Sequence, residues 1–256
     1  MGLLKGSRIN PSDKELSNLF KLVNCELTDI AIKELLKRDD FNLPRAKVNN
    51  IEILARINDA KFILGGNDKI NCIQKSVELY IEIYDQINDV KYLIRALELV
   101  RKIKSFFEED LQQLENKILK DFPILESSYK QIELIEVALF LMQESSIKVL
   151  VDYSLIQLNK SYESNDYAAG QNYILILNKL GHFNNNDFKT QTALCLEKKA
   201  DFYISQKEPN TYYPTILSIY TEALKEVKGI PIDKAFESRL QKKIRIERMR
   251  PTNHIY

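Results

Sequence analysis

Apolar residues recur at a spacing near 3.6 along almost the whole chain, and short polar or Gly/Pro stretches interrupt them. This is the pattern of amphipathic helices joined by brief connections. After Pro11, Ser12 or Asp13 stands where a helix N-cap belongs, ahead of the stripe Leu16, Leu19, Phe20 and Val23. Thr28 or Asp29 opens a second helix with Ile32, Leu35 and Leu36. Residues 38–44 form a connector, and Pro44 favours a fresh start. A third helix over about 45–64 ends at Gly65-Gly66, a C-cap signal. Asn67-Asp68 opens a fourth, with Val77, Tyr80, Ile81 and Tyr84 on its inner face. Further helices are predicted at about 89–104, 107–120, 124–143, 145–162, 165–181, 187–206, 212–228 and 232–249. Pro123, Gly181, Asn184-Asn185-Asn186, Pro209 and Gly229-Ile230-Pro231 punctuate them. The stretch from Ile147 to Val151 comes nearest to a strand, yet it sits inside helical spacing.

These spans predict an all-α protein of about twelve helices, antiparallel to their neighbours and stacked as irregular pairs. A bundle or a degenerate tetratricopeptide-like α-solenoid would both satisfy that description. Residues 1–44 read as an N-terminal helical pair with its connector, and 45–256 as the stacked domain, with a soft boundary near 121–125. A repeat is faintly visible. Placing Ala60-Lys61-Phe62-Ile63 over Ala200-Asp201-Phe202-Tyr203 also places Tyr80 over Tyr220 and Glu82 over Glu222. A small residue beside an aromatic one lets a second helix approach, and the tyrosine then fills the gap. The match is best at Ala200, Tyr203, Tyr220, Ala223 and Leu224, with a spacing between helices longer than the tetratricopeptide repeat's.

Composition agrees. Seven glycines, seven prolines and no tryptophan in 256 residues leave little turn chemistry for a β or α/β domain. The 37 basic and 36 acidic side chains give a net charge of +1, which argues against a polyanion binder driven by overall charge. Cys25, Cys72 and Cys195 are far apart and form no C-x-x-C pair, and His182 and His254 complete no zinc set. Three reduced, apolar-packed cysteines in the cytoplasm are expected, with no metal and no cofactor. The most apolar run, Val137 to Met142, is far below a membrane span.

Few residues suggest chemistry. Arg56 and Asp59 stand at i, i+3 on one helix face and can pair, or seal a helix interface. His182 follows Gly181 at a helix end, where it would meet the last carbonyls. Thirteen tyrosines, among them Tyr129, Tyr153 and Tyr173, suit amphipathic packing at helix junctions. Tyr212-Tyr213, beside Pro214 at a helix entrance, are the exception and a candidate binding element. The local charge excess lies on the last helix: Arg239, Lys242, Lys243, Arg245, Arg248 and Arg250 against Glu237 and Glu247, around a buried line of Leu240, Ile244 and Met249. Such an arc can be a solvated face covering apolar surface, or a phosphate-binding one. No Gly-rich phosphate loop, G-x-S-x-G, H-E-x-x-H or calcium loop is present. Glu108-Glu109 and Asp39-Asp40 fall at helix starts or loops, where negative charge suits the helix dipole.

Ala55-Arg56-Ile57-x-Asp59, Ser76-Val77-Glu78-Leu79-Tyr80 and Arg95-Ala96-Leu97-Glu98-Leu99 together resemble the front half of large bacterial proteins of unknown function. In those proteins an all-helical region precedes a C-terminal HEPN-like helical domain, a class associated with phage defence and RNA cleavage. The stretch from Ala200 to Leu240 is similar to the segment leading into that second half. The resemblance implies a non-catalytic module, because the HEPN-like half would begin where this sequence stops, at Tyr256. HEPN nucleases place an arginine and a histidine about four to six residues apart on one helix; Arg248 and His254 match the count, but Pro251 would break that helix. The expectation is therefore a helical interaction or scaffold protein, not an enzyme, that binds a partner protein or its own copy. The alternative is a defence component that contacts RNA or DNA through the basic last helix.

Overall fold

The structure is a computed structural model that describes residues 51–56, 58–59, 69–102, 108–206, 213–230 and 234–249. The predicted helices before residue 45, the Gly65-Gly66 cap, Cys25, Tyr212, Arg250 and His254 lie outside the described residues. Among the described residues 89% are helical, none is in a strand, and ten helices are present. The chain divides into two compact units, Met1–Leu114 and Glu115–Tyr256.

In the first unit, residues 51–56 and 58–59 are helical. They are followed by α1 (Lys69–Ile87) and α2 (Val90–Lys102), which pack on each other. The turn between them is made by Asn88, whose φ of 54° is left-handed. Asparagine tolerates that region because its short side chain bonds locally. Its N–H donates to the Tyr84 carbonyl at 2.7 Å, closing α1. Ile73, Ile83, Leu93 and Leu97 are fully buried on the facing stripes.

The division between units falls within α3 (Glu108–Asp121). The second unit continues with a 3₁₀ turn (Phe122–Ile124), α4 (Ser128–Ala138), a second 3₁₀ turn (Leu139–Leu141), α5 (Glu144–Glu163), α6 (Tyr167–Lys179), α7 (Asn185–Ser205), α8 (Tyr213–Val227) and α9 (Lys234–Met249). From α5 onward each helix packs on the next, and α4 packs on α6. The expected single helix over 124–143 is broken at both ends. Ser127 caps α4 by accepting the Lys130 N–H at 3.3 Å, and Gln131 Nε2 donates to the Phe122 carbonyl at 2.8 Å. At the far end Glu115 accepts the Gln143 N–H at 2.6 Å and fixes the start of α5. Side chains thus satisfy backbone groups that a continuous helix would have paired.

Other boundaries follow local signals. Asp166 and Asn184 cap α6 and α7 through the N–H groups of Ala169 and Asp187. Gly181 (φ 77°) ends α6: its N–H donates to Asn178 and that of His182 to Leu177, the paired bonds of a Schellman cap. His182 therefore meets the helix carbonyls through its backbone, while its ring rests edge-on against Phe183. Leu196, Ala200, Ile216, Tyr220, Phe236 and Leu240 form the core shared by α7, α8 and α9.

At Gly170, α6 runs close against α5 and α7. A Cβ there would meet Ser161 Oγ at 3.0 Å and Cys195 Sγ at 3.4 Å, and Ser161 Oγ is held by its bond to the Leu158 carbonyl at 2.7 Å. We expect Gly170→Ala to destabilise by about 1 kcal/mol despite alanine's better helix propensity. In a Ser161→Ala background, where the obstructing oxygen is gone, the same change should stabilise by a similar amount. Urea midpoints of the four proteins check this, and additivity would refute it.

Candidate functional site

Each unit holds a polar cluster, and the two clusters have a common arrangement. One helix supplies carboxylates, the next supplies a tyrosine and the third supplies a cation. In the first unit the Asp59 carboxylate, nearly buried, accepts from Arg95 Nε at 3.2 Å and Nη2 at 2.7 Å, and from the Tyr80 hydroxyl at 3.4 Å. Glu52, two turns earlier, accepts from the Tyr92 hydroxyl at 2.6 Å and from Arg56. Ser76 Oγ donates to the Ala55 carbonyl at 2.8 Å, and the Tyr80 and Tyr92 rings stack at 6.4 Å. Arg56 bonds Glu52 on its own helix, and Asp59 reaches across to Arg95 of α2.

In the second unit α7 supplies Glu197 and Asp201. Glu197 takes a two-pronged contact from Arg239, 2.9 Å from Nε and 2.8 Å from Nη2, and a third from Lys243 Nζ at 2.8 Å. Lys243 also donates to both Asp201 oxygens, at 2.8 and 2.7 Å, and the Tyr220 hydroxyl of α8 donates to Asp201. Burial alone would raise the Glu197 carboxyl; its bonds to Arg239 and Lys243, with their charges, outweigh burial and hold it below the usual range. Arg239 is half-exposed, with its guanidinium 4.5 Å over the Phe236 ring, so solvent weakens its share of the bridge.

These clusters fasten helices. Their carboxylates already face cations and phenols, and among the described residues no three His, Cys, Asp or Glu side chains converge as a metal would require. Cys72 and Cys195 are buried and in no disulfide; burial, first of all, pushes the Cys195 thiol up to about 11, where it is not a ready nucleophile. Tyr80, Tyr84, Tyr92, Tyr167 and Tyr220 are buried, whereas Tyr129 stands in solvent. Tyr213 begins α8, and its partner in the candidate pair, Tyr212, lies outside the described residues.

The six basic residues expected on the last helix separate into two groups. Arg239 and Lys243 are held by α7. Lys242, Arg245 and Arg248 are exposed and take part in no ion pair among the described residues; Arg250 lies outside them. The buried line of α9 is Phe236, Leu240, Ile244 and Glu247. Met249, expected in that line, is 67% exposed, because it stands two residues past Glu247 and nine past Leu240, on the opposite side of the helix.

Sequence reasoning misses Glu52, Arg95, Glu197 and Asp201 as site residues, since their partners stand 36 to 42 positions away or belong to another helix. A signal existed for Glu197: it interrupts the core stripe Ala193, Leu196 and Ala200, where a charge is tolerated only if paired. No described helix is long and apolar enough to cross a membrane. No protein-family model, no curated protein and no solved structure matches the chain.

Proposed function

We propose that the chain is a non-catalytic helical interaction module of the cytoplasm, its helices stacked as irregular tetratricopeptide-like pairs, that binds a partner protein or a second copy. The sequence resemblance extends the proposal to a phage-defence or other HEPN-associated setting. The observation that carries the reading is the placement of polar and apolar side chains. The buried carboxylates Asp59 and Glu197 hold helices together, while large apolar side chains stand in water on outer faces. Val149 and Ile156, two turns apart on α5, are 55% and 54% exposed, and Ile246 and Met249 on α9 are 52% and 67% exposed. Grouped exposed apolar side chains mark contact surfaces in soluble proteins. Affinity capture of the tagged full chain from its native cell, with light scattering of the purified protein, tests this. A specific partner or a defined oligomer is expected; a strict monomer that captures nothing specific would overturn it.

A second reading has its own observation, the exposed cations Lys242, Arg245 and Arg248. If they contact phosphates, RNA or DNA should bind at low salt and weaken steeply at moderate salt. Arg245→Glu with Arg248→Glu should then abolish the gel shift, and no shift at low salt would close this reading.

A further inference from the structure

We propose that the outward face of α9 docks an acidic amphipathic helix of a partner protein; this rests on the interaction-module reading and names its surface. Lys242, Arg245, Ile246 and Met249 stand at i, i+3, i+4 and i+7, so they form one stripe, and all four are exposed. Phe236, Leu240 and Ile244 on the opposite face pack into the core, which turns the stripe toward solvent. The cations differ in kind from their neighbours. Arg239 and Lys243 are committed to Glu197 and Asp201, whereas Lys242 and Arg245 take part in no ion pair among the described residues.

Charge and shape select the occupant. Two adjacent apolar side chains flanked by cations that no described carboxylate engages fit a partner with an apolar stripe and acidic margins, the helix-on-helix mode of recognition. A second copy would bring Lys242 and Arg245 against their own kind, and like charges across an interface are unfavourable. A nucleic-acid backbone would neutralise the cations but leave Ile246 and Met249 uncovered, since phosphate contacts need no apolar surface. An acidic amphipathic helix satisfies all four side chains.

The probe is a fluorescent synthetic helix of about 20 residues with leucines at i, i+3, i+4 and i+7 flanked by glutamates. It is titrated against the full chain and compared with a scrambled peptide of the same composition. The patterned peptide should bind about tenfold tighter than the scrambled one. Ile246→Ala with Met249→Ala should weaken it about tenfold, and Lys242→Glu with Arg245→Glu should abolish it, with circular dichroism confirming folded variants. Equal binding of the two peptides, or indifference to the alanine pair, would overturn the proposal. So would a single-stranded RNA of similar length that binds more tightly than the peptide and ignores the alanine pair. Native-cell capture with the alanine pair separates the two readings. A partner held equally by wild type and variant overturns this surface and leaves the module reading standing; no partner held by either, together with a strictly monomeric protein, overturns the module reading itself.

Discussion

Replacing Tyr220 by alanine is expected to lower the free energy of unfolding by about 4 kcal/mol, and replacing it by phenylalanine by only about 1 kcal/mol. The ring is 1% exposed between α7 and α9, in contact with a core of Leu196, Ala200, Ile216, Phe236 and Leu240. Alanine would leave a cavity that three helices cannot jointly close. Phenylalanine keeps the ring and removes one hydroxyl bond. Asp201, half-exposed, retains both contacts from Lys243, so no unpaired buried charge remains. Denaturant titrations of the two variants check the ratio. Equal losses would mean that the bond to Asp201, and not the packing of the ring, holds α8 in place.

Above pH 10 the protein should lose stability steeply, by about 4 kcal/mol per pH unit if three buried phenols stay neutral in the native state. Burial, first of all, raises the hydroxyls of Tyr80, Tyr162 and Tyr220 well above the ordinary phenol range. The charge of Asp59 adds to it at Tyr80, Cys195 adds to it at Tyr162, and Asp201 adds its hydrogen bond and charge at Tyr220. Burial likewise pushes Tyr173 up to about 12. The sign follows from proton binding: the unfolded chain releases these protons near pH 10, the native state does not. Their contribution is therefore complete below pH 10 and is lost as pH rises toward the native-state values. Tyrosinate absorbance and helical circular dichroism should change together in one transition. Gradual tyrosinate formation with helicity intact would show that the phenols titrate in the native protein, contrary to this expectation.

The helices were legible because their signals are local. The stripes at 3.6 spacing, Pro123, Gly181 and Gly229 place boundaries to within a few residues. The break of the 124–143 span was not, because it depends on Gln131 reaching back to Phe122 and Glu115 reaching forward to Gln143, contacts with no sequence pattern. The candidate site was legible only in part. Tyr80 and Tyr220 emerged as equivalent positions from the repeat alignment, and each proves to donate to a carboxylate of the preceding helix, Asp59 and Asp201. The alignment does not superpose those two carboxylates, which differ by two positions in its register. A long cation or tyrosine absorbs such an offset, so helix faces and not residue columns are what the two units share. Periodicity alone presents the basic helix as six equivalent charges and does not divide them. That division depends on Glu197 and Asp201, which approach from another helix.

The carboxylate–tyrosine–cation clusters have a kinetic consequence. Their bonds join residues only 19 to 42 positions apart in the second unit and 21 to 40 in the first. Bringing such residues together costs little chain entropy, and proteins dominated by near-neighbour contacts fold fast. Each group of three helices can therefore close during synthesis, as soon as its last cation has been added, without waiting for distant parts of the chain. The apolar stripes of an unfinished chain would be sheltered helix by helix, which shortens the interval in which they could meet another unfolded molecule.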